Sequence, residues 1–146
     1  MPLELEVVTI ERAVYNADDV EMVIAPGEEG VLGILPRHEP MIVRLKAGEL
    51  VIVRGDQTDL LAIGGGFMEV HDSKVIVMAS VAEQADEIDV ERAERARQRA
   101  EKILADAPDR AEARKALADM RRAAVRLKVA RRRRSYQSRQ GAPTER

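Results

Sequence analysis

Cysteine and tryptophan are absent from this 146-residue chain, and aromatic residues make up only 2% of it. Without cysteine there is no disulfide to staple the fold and no thiolate to serve as metal ligand or nucleophile. With one Phe and two Tyr, any core has to be assembled from Val, Ile, Leu, Met and Ala. No run approaches the ~18 apolar residues of a membrane-spanning helix, and the N-terminus lacks the basic-then-apolar shape of a secretory signal. The cytosol is therefore the default compartment. Histidine is scarce as well: His38 and His71 are too few for a three-ligand zinc site and lack metal-ligand spacing. No Ser-His-Asp set or obvious carboxylate pair is present either, so the expectation is a chain without catalytic residues, metal site or required cofactor.

What the chain does have is charge. Charged residues make up 34% of it, against roughly 25% in an average globular domain. The net charge of -2 conceals an asymmetry. Residues 1–84 hold six Lys and Arg against fifteen Asp and Glu, a net of -9, and residues 85–146 hold eighteen against eleven, a net of +7. An acidic body with a basic arm predicts an acidic partner for the arm, whether protein, nucleotide or nucleic acid.

The hydrophobic pattern changes at the same place. Leu3-Leu5-Val7 and Val20-Met22-Ile24 alternate with acidic residues, the pattern of strands with one wet face. Met41–Val43, Leu50–Val53, Leu60–Ile63 and Val75–Met78 are continuous apolar runs suited to strands covered on both sides. Pro26-Gly27, Ala47-Gly48, Arg54-Gly55-Asp56, Gly64-Gly65-Gly66 and His71-Asp72-Ser73 supply turn chemistry between them. Short strands separated by turns every ~8–12 residues predict a β-sandwich or barrel over residues 1–84. Gly64–Gly66 precedes a strand pattern and not a helix, so it reads as a tight turn or bulge and not as a phosphate-cradling loop. Arg54-Gly55-Asp56 reads as a hairpin tip.

From Ile88 the period is helical. Ala93, Ala96, Ala100, Leu104 and Ala107 recur at three- and four-residue steps, as do Ala113, Leu117, Met120, Ala124 and Leu127. Asp106-Ala107-Pro108-Asp109 separates the two runs, Pro ending one helix and Asp capping the next. The prediction is an antiparallel helical hairpin over 85–134, ending in Arg131–Arg134, and then a disordered basic tail over 135–146. A seam built mostly of alanine buries little apolar area, so the arm is expected to depend on docking and to be able to leave its dock.

Folding back near residues 107–108 places Arg92 opposite Arg122 and Asp89 opposite Arg126. Arg99 lies two turns from Arg92 on the same face. Guanidinium groups converging in this way call for an anion, and a nucleotide triphosphate fits because Arg grips phosphate bidentately. Asp89 and Glu83 offer acceptors to a base or sugar. The competing reading is a solvated face in which Glu91, Glu94 and Glu101 neutralise the arginines.

Three stretches carry a resemblance: Pro26–Pro40 (PGEEGVLGILPRHEP), Gly64–Val70 (GGGFMEV) and Ile88–Ala93 (IDVERA). In them the chain resembles the epsilon-subunit family of F-type ATP synthases over residues 3 to about 130. The resemblance implies a sandwich of about ten strands bound to the gamma subunit and the c ring, with Val31, Leu32, Gly33 and His38 at the rotor interface. It implies a C-terminal arm that inhibits ATP hydrolysis when extended toward the alpha/beta catalytic head. It also implies ATP as a regulatory ligand, held by Glu83, Ile88, Asp89, Arg92, Ala93, Arg99, Arg122 and Arg126. Such a subunit would serve a proton-translocating enzyme at the cytoplasmic face of the cell membrane, attached only through the complex. Two rivals stand beside this expectation. One is a nucleic-acid-binding protein using Arg131–Arg134, opposed by the acidic body and the lack of stacking aromatics other than Tyr136. The other is an enzyme built on the sandwich.

Overall fold

The computed structural model describes residues 1–107 and 109–140, with side chains through Arg133. The chain divides into two compact units, Met1–Gln84 and a second that begins at Ala85.

Eight strands make up the first unit: β1 (Leu3–Val8), β2 (Ala13–Val20), β3 (Met22–Gly27), β4 (Gly30–Ile34), β5 (Met41–Arg54), β6 (Gln57–His71), β7 (Lys74–Ala79) and β8 (Ala82–Gln84). Their order is β2-β1-β7-β6-β5-β3-β4, with β8 also paired to β6. Pairing is antiparallel throughout except between β1 and β7. Fewer strands form than the ten or so expected, because four of the expected short strands fuse into two long ones. Ala47-Gly48 and Gly64–Gly66 are not turns; they lie within β5 and β6, which pair in one register from Met41↔Val70 to Arg54↔Gln57, interrupted only at Lys46 and Gly65. Gly65 and Gly66 adopt φ of 108° and 148° there, conformations that let a strand bend without ending.

Alternation accounts for the core. Leu3, Leu5 and Val7 of β1, Val14, Ala17 and Val20 of β2, and Val75 and Val77 of β7 point inward with Leu50, Ile52, Leu61, Ile63, Met68 and Val70. Each fully buried aliphatic of this kind contributes about 1.5–3 kcal/mol. Leu50–Ile52 and Leu60–Ile63 are covered on both faces as expected. Met41–Val43 and Val75–Met78 are not: Ile42 is 74% exposed and Met78 is also open to solvent.

The Arg54-Gly55-Asp56 tip is a two-residue hairpin turn, and Arg54 has a structural task. Its guanidinium donates to Asp19 at 2.8 and 3.1 Å and lies 3.4 Å from Asp59, which accepts from the Tyr15 hydroxyl at 2.6 Å. This cluster ties β2 to the β5–β6 hairpin. Burial, reinforced by the bond to Asp59, holds the Tyr15 phenol well above its ordinary pKa. A raised folded-state pKa stabilises the fold fully below the unfolded value of ~10 and less as pH rises beyond it. Stability is therefore expected to decline from about pH 10 upward, and Tyr15→Phe to flatten that decline in denaturant titrations at stepped pH.

In the second unit a 3-10 turn (Ala85–Glu87) leads to α1 (Val90–Asp106) and α2 (Arg110–Gln140). Asp89 caps α1, its carboxylate accepting from the Arg92 N–H at 3.1 Å, and Asp109 caps α2 by accepting from the Glu112 N–H at 2.8 Å. Ala107 has the extended backbone that a following proline demands. Pro108 itself, expected to break the helices, lies outside the described residues. At 31 residues against 17, α2 spans about 46 Å and α1 about 25 Å. It continues as helix past the expected boundary at Arg134, so residues 135–140 are helical where a disordered tail was expected. Residues 141–146 of that tail lie outside the described residues.

Candidate functional site

The helix–helix seam decides where the arginines go. On α1, Ala93 and Ala100 are buried, with Ala96 and Leu104 half-buried, as their spacing predicts. On α2 the buried positions are Ala116, Ala123, Leu127, Val129 and Ala130, of which Ala116, Ala123, Leu127 and Ala130 keep the seam spacing, with Ala113 and Met120 partly covered. The predicted seam is thus displaced by one residue at two points: Leu117 is 38% exposed and Ala124 is exposed, while Ala116 and Ala123 take their places. Both runs have three- and four-residue spacing. Alanines set against Ala93 and Ala100 allow close approach of the backbones, which a leucine would prevent.

In an antiparallel pair, reversing one helix mirrors the direction in which its residues wind. Residues immediately before the seam therefore line one edge of the hairpin on both helices, and residues immediately after it line the other. Arg92 and Arg99 precede Ala93 and Ala100, and Arg122 and Arg126 precede Ala123 and Leu127. All four arginines share one edge. Arg95, which precedes Ala96, joins them, as does Asp119, which precedes Met120. Neither was singled out from the sequence, although the same position relative to the seam marks both.

The opposite edge is chemically different. Glu94, Arg97 and Glu101 follow seam residues, and Arg97 donates to both carboxylates, to Glu101 at 2.8 Å. The hydrogen bond from Arg97 to Glu94 holds the Glu94 carboxyl below its usual range, and the charge of Arg131, which follows Ala130, adds to the effect. Glu94 and Glu101 are therefore engaged with Arg97 and do not neutralise Arg92 or Arg99. Among the described residues, Arg92, Arg95 and Arg99 form no ion pair, and Arg122 is held by Asp119 at 2.5 Å. Arg126 is half-buried.

The other expected site residues fall into distinct settings. Ile88 and Ala93 are buried, and Ala93 acts by letting the helices close. Asp89, expected to meet a base or sugar, directs its carboxylate to the first turn of α1; an Asp directly ahead of a helical period was the signal for that role. Asp89→Ala is expected to lower hairpin stability by about 1 kcal/mol, with Asp89→Asn close to wild type because Asn caps equally well. Amide hydrogen exchange at residues 90–93 would measure it. Glu83 belongs to the first unit, on β8 opposite Ala62.

On the sandwich, Val31 of the edge strand β4 is 72% exposed, whereas Leu32 packs against the core. Gly33 is exposed, and a Cβ there would meet nothing within 4 Å, so the fold itself does not demand glycine. His38 follows a turn in which its N–H donates to the Leu35 carbonyl, and its Nδ1 lies 2.8 Å from the Glu39 carbonyl.

A β-sandwich followed by a two-helix arm is the domain order of a class of rotary-enzyme subunit, and it is the comparisons that place the chain in that class. The domain described as "ATP synthase, Delta/Epsilon chain, beta-sandwich domain" matches residues 2–85, and "ATP synthase, Delta/Epsilon chain, long alpha-helix domain" matches residues 86–131. The chain belongs to the ATP synthase delta/epsilon chain family, and specifically to its epsilon chains, which are non-catalytic subunits. It is 48% identical to the ATP synthase epsilon chain of Herpetosiphon aurantiacus over 137 residues, 94% of this chain and 100% of that one. The epsilon chain of Dehalococcoides mccartyi strain BAV1 is 46% identical over 136 residues, 92% and 96% of the two chains. Among solved structures, a chain of the Euglena gracilis mitochondrial ATP synthase has the same fold at a TM-score of 0.72 and 24% identity, covering 82% of this chain and 76% of its own. A chain in the central stalk/c-ring structure of the Tetrahymena thermophila mitochondrial ATP synthase follows at 0.58 and 16%, covering 89% and 97%. No described helix is long and apolar enough to cross a membrane.

Proposed function

We propose that this epsilon subunit couples the c ring to the catalytic head of a proton-translocating ATP synthase through its sandwich. On this reading it joins the gamma subunit, the c ring and the alpha/beta head at the cytoplasmic face of the membrane. The rotor contact is made by Val31 and Gly33 of β4 and by His38 beyond it, with Leu32 anchoring β4 from within. An exposed edge strand with an apolar residue beside a glycine that the fold does not need suits close approach by another chain. The arm inhibits ATP hydrolysis when it extends toward the head, and ATP holds it folded by binding one of its two states more tightly.

The observation that carries the ATP reading is the uncompensated charge of Arg92, Arg95 and Arg99 on the edge they share with Arg122 and Arg126. Like charges of which three have no carboxylate partner are stabilised by an anion that several guanidinium groups can grip together. Calorimetric titration of the full chain with ATP, ADP and GTP tests it. Selective ATP binding supports an energy-sensing arm. Absence of binding would remove ATP from the scheme and leave the stalk role in place.

A further inference from the structure

The cationic edge contains its own competitor for the ligand. Between Arg92 and Ile103 on α1 and between Lys115 and Arg126 on α2, the residues that precede the seam include one carboxylate, Asp119. It grips the Arg122 guanidinium at 2.5 Å, from one turn earlier on the same helix. Both side chains are close to half exposed, so the pair is easily opened. It occupies the very arginine that the nucleotide reading assigns to phosphate.

We propose that Asp119 is an internal surrogate for phosphate that sets the affinity and charge selectivity of the arm for its nucleotide; the inference rests on the ATP reading above. Binding requires Arg122 to exchange a carboxylate for a phosphate oxygen. A polyphosphate makes that exchange against one negative charge left beside it. Asp119 therefore weakens binding twice, by occupying Arg122 and by repelling the ligand, and the repulsion grows with the number of phosphate charges. The pair has the geometry of an exposed i,i+3 contact, which is weak in isolation. It delays capture of a triphosphate without preventing it, which places the affinity in a range that responds to nucleotide concentration.

Removing the charge at constant shape separates this role from general electrostatics. Asp119→Asn in the full chain is expected to tighten ATP binding about threefold to tenfold, ADP less and AMP least. Glu101→Gln deletes the same unit charge from the opposite edge, where Glu101 serves Arg97, and is expected to stay within about twofold of wild type. Calorimetry with ATP, ADP and AMP on the three proteins reads the result. Equal affinity for ATP in wild type and Asp119→Asn, or a gain no larger than that of Glu101→Gln, overturns the inference alone. Weaker binding by Asp119→Asn also overturns it, since the carboxylate would then be positioning Arg122 for the ligand. No ATP binding by wild type or variant overturns the nucleotide reading and this inference with it.

Discussion

Gly66→Ala is expected to lower sandwich stability by about 3–5 kcal/mol, a large share of the 5–15 kcal/mol that holds a typical domain. Two costs combine. A Cβ built on Gly66 would sit 2.0 Å from the Met78 carbonyl oxygen and 2.9 Å from the Ala79 Cα, both backbone atoms of the neighbouring strand. The strands would have to separate where Gly66 pairs with Ala79 and where the Ser80 N–H donates to the Gly65 carbonyl at 2.9 Å. The φ of 148° adds strain for any residue with a side chain. Gly55→Ala supplies the comparison: its φ is also positive, at 55°, but a Cβ there meets nothing within 4 Å. That change is expected to cost about 1 kcal/mol. Thermal unfolding followed by circular dichroism should show Gly66→Ala melting more than about 12 °C lower and Gly55→Ala only a few degrees lower. Equal melting points would mean that β6 and β7 can part without penalty at this bend.

Arg92→Ala is expected to weaken ATP binding about tenfold to a hundredfold while leaving the sandwich intact. A charge-assisted hydrogen bond contributes about 1.5–3 kcal/mol, and each 1.4 kcal/mol is a factor of ten in affinity. Arg92 is exposed in the first turn of α1, and only its backbone N–H takes part in the Asp89 cap. Truncating the side chain leaves the cap and the Ala93 packing undisturbed. Titration calorimetry gives the affinity, and the unfolding transition of the same samples reports the fold. Unchanged affinity would return Arg92 to the role of a solvated side chain. The prediction is sharpened by the opposite edge, where Arg97 already has two carboxylates: Arg97→Ala should affect the hairpin's stability slightly and ATP affinity little.

Much of this was legible in the residues, and the exceptions have specific causes. The switch from two-residue to helical period marks the boundary at Gln84, and Asp109 ahead of the second run signals the cap that the structure contains. The seam of α2 was ambiguous because Ala116 and Leu117, like Ala123 and Ala124, fit the same spacing. Asp89 caps the first turn of α1 through Oδ1, a role that an Asp directly ahead of a helical period signals.

By itself the sequence determined the order of the fold: a small aliphatic-cored β unit, then two helices. Those outcomes follow from local periodicity, turn and cap chemistry and composition, which act over a few residues. It also determined which arginines were available and that cysteine chemistry was excluded. Only the tertiary structure decided that the runs on either side of Gly64–Gly66 form one bent strand, because that depends on which strand lies alongside. Only the packed seam decided that Arg97 takes Glu94 and Glu101 on one edge, while Arg92, Arg95 and Arg99 stand on the other with Arg122 tied to Asp119. Charges close in sequence can end on opposite edges of a helix pair, and a rotation of one residue about the helix axis exchanges them.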